Sequence, residues 1–238
     1  MSAAFSLRLA SKLDEQKECF NLKAGEIHVW SMGLEQWPEM MDGLPQLLPA
    51  EEWDLCKRFE QVGQARLFLL RRILLRQLLS KYANCGPLDI GYAIEKQGKP
   101  KATGPATGIG FNASRSASRV LFAFGAVIEV GVDIEEQRWR PGLDAVAARY
   151  FNPIEQAQLV AAPELLMPKK FFSIWTRKEA ETKLTGRGLA GFDELTGSKR
   201  GAPKVVLELP VPAGFSAHLA VERGAYEIKV INWAPDWN

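Results

Sequence analysis

Cysteine and histidine are scarce in this chain. Its three cysteines, Cys19, Cys56 and Cys85, show no CxxC spacing. An odd set of separated cysteines argues against a disulfide framework or a zinc site and favours a reducing compartment. The two histidines, His28 and His218, each lie in an alternating apolar pattern that is typical of a strand. Nucleophilic catalysis by a Ser–His or Cys–His pair is therefore poorly supported.

Long apolar runs and an excess of one charge are also absent. No apolar run is long enough to span a bilayer, and the N-terminus lacks a charged region followed by a hydrophobic one, so we expect a cytoplasmic protein that does not enter membranes. A formal net charge of +2 is too small to indicate bulk binding to nucleic acid. The GxxxxGK[ST] phosphate loop is missing. The 238 residues suffice for one large domain or two small ones.

Residues 171–189, FFSIWTRKEAETKLTGRGL, carry the most informative helical pattern. At about 3.6 residues per turn, Trp175, Glu179 and Lys183 lie near one face of the predicted helix. Gly186 and Gly188 predict its end, because glycine accepts the left-handed conformation that terminates helices. Taken alone, the segment favours an ordinary amphipathic helix with a Glu–Lys pair.

A second segment, residues 126–136, changes that interpretation. Its β-branched and apolar residues predict a buried strand, in which Asp133 and Glu135 point to the same side. Two carboxylates on one side repel each other unless a cation or a proton lies between them. At a strand end a hard divalent cation such as Mg²⁺ fits best, and Glu179 would complete its oxygen ligands.

Several basic residues allow two interpretations each. Arg76 is predicted to lie on a solvated helix face, whereas Arg66, at the start of that helix, is placed to reach a ligand. Lys99 and Pro100 mark either a close backbone approach or a simple turn. Residues 113–119, ASRSASR, follow a predicted strand and either hold a phosphate or form a tight hairpin loop.

The remaining segments outline the rest of the fold. Asn152 and Glu155 predict a helix N-terminus, with Glu155 as a capping residue. Residues 204–209, 215–222 and 226–233 alternate like an antiparallel meander. Residues 1–24 show little periodicity and are interpreted as a lead-in.

Five motifs occur in one order along the chain: GKP (98–100), FNASRS (111–116), GVDIE (131–135), WTRKEAETK (175–183) and GRGL. In this combination the chain resembles the 4′-phosphopantetheinyl transferases, especially the larger, Sfp-like subfamily. The resemblance implies an α+β fold of two similar α/β halves, each an antiparallel sheet packed on a long helix, related by a pseudo-twofold axis. Residues 1–125 would form the half on the adenine and phosphate side, and residues 126–238 the half with the magnesium and catalytic motifs.

The resemblance also implies an activity. Such enzymes transfer the phosphopantetheine arm of coenzyme A to a serine of an apo acyl or peptidyl carrier protein, release adenosine 3′,5′-bisphosphate and need Mg²⁺. The implied partner surface is acidic and helical, and a monomer is the expected state. The implied metal ligands are Asp133, Glu135 and Glu179. The implied catalytic residues are Glu179 and Lys183. The implied coenzyme A contacts are Arg66, Lys99, Pro100, Ser114, Arg115 and Lys183.

This chain departs from the family pattern at two places. Arg115 stands where the family usually has histidine, which keeps a positive charge for phosphate but cannot titrate near neutral pH. Glu51 and Glu52 partly replace basic residues before the first long helix, which weakens that part of the expected 3′-phosphate site. Lys178 is expected to contact a partner or solvent.

Two other functions remain open at the level of sequence. One is a non-catalytic homologue that binds carrier proteins, and the other is a different metal-dependent phosphotransferase that uses a nucleotide. Retention of all three acidic positions with Lys183 weighs against the first. The missing phosphate loop weighs against the commonest form of the second.

Overall fold

The computed structural model describes residues 5–10, 20–34, 47–96, 98–188, 192 and 204–232. These residues form ten strands and five α-helices in a mixed α/β arrangement. The helices are α1 (Ala50–Cys56), α2 (Val62–Ala83), α3 (Leu143–Tyr150), α4 (Pro153–Val160) and α5 (Met167–Thr185). The strands are β1 (Phe5–Ala10), β2 (Glu26–Gly33), β3 (Gly91–Ile94), β4 (Pro100–Thr103), β5 (Ile109–Ser116), β6 (Arg119–Ala126), β7 (Val130–Glu136), β8 (Lys204–Glu208), β9 (Phe215–Glu222) and β10 (Tyr226–Asn232).

The larger sheet has five strands in the order β1-β10-β2-β6-β5. Strand β10 pairs in parallel with both β1 and β2, whereas β2, β6 and β5 pair antiparallel. Two expectations were therefore wrong. Residues 5–10 form a strand rather than a lead-in, and β10 leaves the predicted meander to enter this sheet. The buried side chains of Ile228, Val230 and Ile231 explain why β10 is central in the sheet.

A second, three-stranded sheet has the order β7-β9-β8 and is antiparallel throughout. It packs face to face on the larger sheet, because Leu121 and Ala123 of β6 share a buried cluster with Val132 of β7 and Leu219 of β9. Strands β3 and β4 form a separate hairpin. Alternation along the strands places one set of apolar residues from each sheet in this shared core.

The two long helices cover the outer faces of the two sheets. Leu74 and Leu78 of α2 pack with Phe122 and Phe124 of β6 on the far side of the larger sheet. On the smaller sheet, Ala180 and Leu184 of α5 pack with Ala220 and Val206. The described elements thus stack as helix, sheet, sheet and helix, and the edges of β5 and β7 meet in the middle.

Two predicted helix ends are confirmed. Gly186 adopts a left-handed conformation at the end of α5, with φ 73°. Asn152 and Glu155 form the predicted capping box at the start of α4. Helix α5 begins at Met167, four residues before the predicted start, and Leu189, at the end of that predicted segment, lies outside the described residues.

Candidate active site

A row of polar side chains joins the two sheets where β5 meets β7. Alternate side chains of β5 point to β7 and accept hydrogen bonds from its backbone N–H groups. The three bonds are Val132 N to Asn112 Oδ1 (2.9 Å), Ile134 N to Ser114 Oγ (3.4 Å) and Glu136 N to Ser116 Oγ (3.0 Å). The FNASRS motif is therefore a strand up to Ser116. The expected loop is reduced to a turn at Ala117 and Ser118, so β5 sets the position of β7 residue by residue.

The same hydroxyl groups hold the two carboxylates of β7. Ser114 Oγ donates to Asp133 Oδ1 at 2.7 Å, and Ser116 Oγ donates to Glu135 Oε2 at 2.6 Å. Asp133 is only 2% exposed. Each serine hydroxyl thus bonds both to a β7 backbone group and to a β7 carboxylate, which fixes the direction of the carboxylates.

Helix α5 supplies the cation of the cluster. Lys183 Nζ donates to Asp133 Oδ1 at 2.6 Å and to Ser114 Oγ at 3.0 Å. Glu179 lies one turn earlier on the helix, and burial raises its pKa to about 6, with a further contribution from the negative charge of Asp133 and an opposing one from Lys183. The structure therefore brings Ser114, Asp133 and Lys183 into direct contact and places Glu179 within their electrostatic reach.

The donor set fits a hard cation. Burial raises the pKa of Asp133 against the opposing effects of Lys183 and Ser114. Burial also raises the pKa of Glu135, although the bond from Ser116 opposes it. Asp133 Oδ2 is buried and accepts no hydrogen bond from any described residue. Over the described ranges, no three acidic, histidine or cysteine side chains lie close enough together to hold a metal ion as they stand. A bound cation would give the unsatisfied oxygen of Asp133 a partner and would reduce the repulsion among the carboxylates of Asp133, Glu135 and Glu179.

The raised pKa of Glu179 predicts a pH-dependent effect of its replacement. Its folded pKa of about 6 exceeds the ordinary value of 4.5. The folded protein then binds more protons between these values, so stability from this group is lost as the pH rises through that window. In chelator, Glu179→Gln should be more stable than wild type above pH 6, by about 1–2 kcal/mol, and equally stable below about pH 4.

Urea unfolding of both proteins from pH 4 to 8 measures this difference. Glu164→Gln, which changes an exposed carboxylate far from the cluster in sequence, is the matched control and should show no such pH dependence. A Glu179→Gln protein that is less stable than wild type at pH 7.5 would contradict the electrostatic strain described for Glu179.

Lys99 is buried, with three partners for its ammonium group. Lys99 Nζ donates to Glu129 Oε2 (2.6 Å), Val130 O (3.2 Å) and Leu184 O (3.1 Å). The ammonium group therefore ties the β3–β4 hairpin to the start of β7 and the end of α5. The next residue, Pro100, lines a cavity of about 300 Å³ together with Phe111, Val127 and Glu129, among others.

Two basic residues that were predicted to contact solvent or a partner are buried. Lys178, expected to meet a partner or solvent, is 2% exposed and donates to Glu155 Oε2 at 3.0 Å. Glu155 also pairs with Arg177, in addition to its confirmed capping role. Arg76, expected on a solvated face, is 3% exposed and donates to Glu52 Oε1 at 2.9 Å. Both expectations were wrong because the acidic partners come from distant segments.

Three further residues, two cationic and one titratable, differ in their surroundings. Arg66 is exposed at the start of α2 and has no hydrogen bond or ion pair with any described residue. Arg115 is half-buried on β5. His218 lies opposite Asp133 in the register of β7 and β9, and its Nδ1 is 2.8 Å from Thr176 Oγ1. Burial lowers the pKa of His218 to about 4, so it is neutral at physiological pH.

Three residues with clear roles here were not found from the sequence. Asn112 and Ser116 join β5 to β7, and their alternation with Ser114 was the available signal. Gly131 lies where β7 touches α5: a Cβ atom there would be 2.1 Å from Ala180 O. A glycine inside a predicted strand is the sequence signal for such a close approach.

The comparisons with known proteins agree with this site. The family model of the 4′-phosphopantetheinyl transferase superfamily matches residues 129–229, which include β7 and α5. The 4′-phosphopantetheinyl transferase HetI of Nostoc sp. is 32% identical over 176 residues, covering 73% of this chain and 74% of HetI. The 4′-phosphopantetheinyl transferase psf-1 of Bacillus pumilus is 30% identical over 175 residues, 72% of each chain. The 4′-phosphopantetheinyl transferase Sfp of Bacillus subtilis is 29% identical over 161 residues, covering 67% of this chain and 70% of Sfp.

The chain therefore belongs to the 4′-phosphopantetheinyl transferase superfamily. Its similarity to Sfp and HetI over most of its length makes it an Sfp-like transferase. Among the described helices, none is both long and apolar enough to cross a membrane.

Proposed function

We propose that this protein transfers the 4′-phosphopantetheine arm of coenzyme A to a serine of an apo acyl or peptidyl carrier protein and releases adenosine 3′,5′-bisphosphate. The observation that carries the proposal is the contact of Lys183 with Asp133 and Ser114, beside Glu135 and Glu179. Three of the five motifs, FNASRS, GVDIE and WTRKEAETK, contribute side chains to this cluster.

The acidic residues would hold the metal ion. Asp133, Glu135 and Glu179 offer carboxylate oxygens, the ligands that Mg²⁺ prefers in proteins. When bound, Mg²⁺ neutralises charge on the pyrophosphate and polarises the phosphorus for attack. Ser114 and Ser116 keep the carboxylates of Asp133 and Glu135 directed to one place, through the bonds of 2.7 and 2.6 Å described above.

The chain's own residues then carry the transfer. Lys183 would exchange its bond to Asp133 for the pyrophosphate and stabilise the charge that develops on the leaving group. Glu179 would accept the proton of the carrier serine, directly or through a water, since a pKa of about 6 leaves it ionised at neutral pH. The serine oxygen bonds to the β-phosphorus as the bridging P–O bond breaks, and the electron pair leaves with adenosine 3′,5′-bisphosphate.

The rest of coenzyme A would extend towards the N-terminal residues. The cavity beside Pro100 supports adenine binding there, and Lys99 would act by fixing this wall rather than by a free ammonium group. Arg66 and Arg115 would approach the 3′-phosphate. We further propose two similar halves, residues 1–125 and 126–238, related by a pseudo-twofold axis, in a cytoplasmic monomer that binds the acidic helical surface of a carrier.

The direct test mixes the protein with coenzyme A and a panel of apo carriers from fatty-acid, polyketide and peptide synthesis. Mass spectrometry should show addition of the phosphopantetheine arm to a carrier when Mg²⁺ is present and none in chelator. No addition to any carrier would contradict the proposal. Carrier binding without addition would favour a non-catalytic homologue, and transfer from a nucleotide that coenzyme A does not displace would favour another phosphotransferase.

A further inference from the structure

Four arginines lie near the middle of α2 and on the adjoining edge strand β5: Arg71, Arg72, Arg76 and Arg115. A single buried carboxylate, that of Glu52, pairs with two of them. Glu52 accepts hydrogen bonds from Arg76 Nε and Nη2, and Arg72 Nε lies 3.6 Å from Glu52 Oε2. Arg76 also donates to two backbone carbonyl groups, those of Pro87 and Ile90. Glu52 and these carbonyl groups therefore account for Arg72 and Arg76 and for no other arginine.

The other two, Arg71 and Arg115, face the same edge of the larger sheet. Arg71 lies three and seven positions before Leu74 and Leu78, so it shares the helix face that packs on the sheet. On β5, Ala113 packs against that cluster, and Arg115 follows two residues later on the same side of the strand. Helix and strand therefore bring the two guanidinium groups together.

Neither guanidinium group has an acidic partner among the residues that the structure describes. Arg71 is half-buried and makes no hydrogen bond or ion pair with any residue that the structure describes. Arg115 makes one long contact, from Nη1 to Ala117 O at 3.5 Å in its own hairpin. Burial lowers the pKa of Arg71, and the positive charges of Arg72 and Arg115 lower it further. Two like charges are thus held together in a half-buried position, an arrangement that a bound anion would stabilise.

We propose that Arg71 is a specificity-determining residue, which binds a phosphate monoester dianion together with Arg115. Two planar guanidinium groups can each donate a forked pair of hydrogen bonds to phosphate oxygens. The inference rests on the proposed function, under which this phosphate is the 3′-phosphate of coenzyme A. Glu52 stands in a segment before α2 where the family often has basic residues for this phosphate. Arg71 supplies a cation that this segment lacks.

The position of the pair relative to the cluster supports this assignment. Arg115 directly follows Ser114, which bonds to Asp133 and Lys183. The side chain of Arg115 points to the opposite face of the edge strand β5 from that of Ser114, so a phosphate held by Arg115 would lie across this strand from the groups proposed to bind the pyrophosphate. Arg66 precedes Arg71 by five residues, which rotates it by about 140° around the helix axis. It therefore projects in a different direction from Arg71 and would have to approach the phosphate from another side.

The test compares coenzyme A with dephospho-coenzyme A, which lacks only the 3′-phosphate. Calorimetric titration without any carrier should show that Arg71→Gln weakens coenzyme A binding by about 10- to 100-fold, the loss of one charge-assisted contact. Binding of dephospho-coenzyme A should change less than about twofold. Arg115→Gln should behave alike, and Arg71→Lys should keep part of the preference. Equal weakening of both ligands, or of neither, would overturn the inference.

Two further measurements separate the possible explanations. Lys81→Gln removes the same charge from an exposed position near the end of α2 and should leave both affinities unchanged. The ligand-free Arg71→Gln protein should be at least as stable as wild type, because it loses only repulsive neighbours; a large loss of stability would instead make Arg71 a structural residue. Two results together would overturn the 3′-phosphate assignment and assign Arg71 and Arg115 to a free anion. Inorganic phosphate would compete with dephospho-coenzyme A for wild type, and Arg71→Gln would keep the wild-type preference for coenzyme A over dephospho-coenzyme A.

The outcome is distinct from that of the proposed function. If carriers are never modified but the preference for coenzyme A depends on Arg71, the transfer proposal fails and the phosphate site stands. If carriers are modified equally well from both cofactors in wild type and in Arg71→Gln, the transferase function stands and the role of Arg71 is refuted.

Discussion

Asp133→Asn should reduce kcat/KM for carrier modification by at least about 100-fold. This change removes the negative charge of the carboxylate that accepts from Lys183 and Ser114. It also puts an amide nitrogen, which cannot bind a cation, in the position of the unsatisfied Oδ2. Charge stabilisation by a bound metal ion contributes several kcal/mol to such a transition state, and each 1.36 kcal/mol corresponds to about tenfold in rate. The assay is carrier modification over a series of Mg²⁺ concentrations.

The fold should survive this substitution, which separates catalysis from folding. Asparagine has nearly the same shape, and Lys183 is 27% exposed, so its ammonium group can turn to solvent. We expect the free energy of unfolding in chelator to stay within about 1 kcal/mol of wild type or to rise, since burial disfavours the Asp133 charge. Glu208→Gln, on the outer strand of the same sheet, is the control. Activity within tenfold of wild type would remove Asp133 from the metal site.

Gly131→Ala should destabilise the protein by about 3 kcal/mol or more. The new Cβ atom would lie 2.1 Å from Ala180 O and 2.4 Å from Leu184 N, both backbone atoms of α5. The backbone of a packed helix cannot yield as a flexible side chain does, so β7 and α5 must separate. Because β7 carries Asp133 and α5 carries Lys183, that separation should also weaken binding of coenzyme A. Urea unfolding and calorimetry measure the two effects.

Gly63→Ala provides the matched control. Gly63 lies in the first turn of α2, and no heavy atom lies within 4 Å of its added Cβ. Alanine is favoured over glycine in a helix by about 0.5–1 kcal/mol, so this variant should be as stable as wild type or slightly more stable. Equal stability of Gly131→Ala and wild type would be incompatible with the close contact of β7 and α5.

Local patterns predicted those features whose physical cause is local. Gly186 ends α5 because a left-handed residue closes a helix, and Asn152 with Glu155 caps α4 through bonds three residues apart. The side shared by Asp133 and Glu135 follows from strand geometry alone. The tertiary neighbours of these elements could be predicted only from the motif resemblance, because no periodicity specifies that α5 packs on β7.

Features that depend on distant partners were not predicted. The patterns of their own helices predict solvated positions for Lys178 and Arg76. Their acidic partners, Glu155 and Glu52, lie 23 and 24 residues away in the chain. A buried charge is stable only with such a partner, and spacing along the chain does not reveal it. The parallel pairing of β10 was missed for the same reason, since alternation marks a strand without naming its neighbours.

The central position of β10 has a consequence for biosynthesis. Strand β10 separates β1 from β2 and pairs with both, so the larger sheet is incomplete until residues 226–232 have left the ribosome. During translation, β2 can pair with β6 along one edge, but its other edge must wait for β10, about 200 residues later in the chain. Such long-range closure is slow and exposes a growing chain to aggregation. Chaperone dependence and the tolerance of C-terminal fusions should therefore be governed by this one late strand.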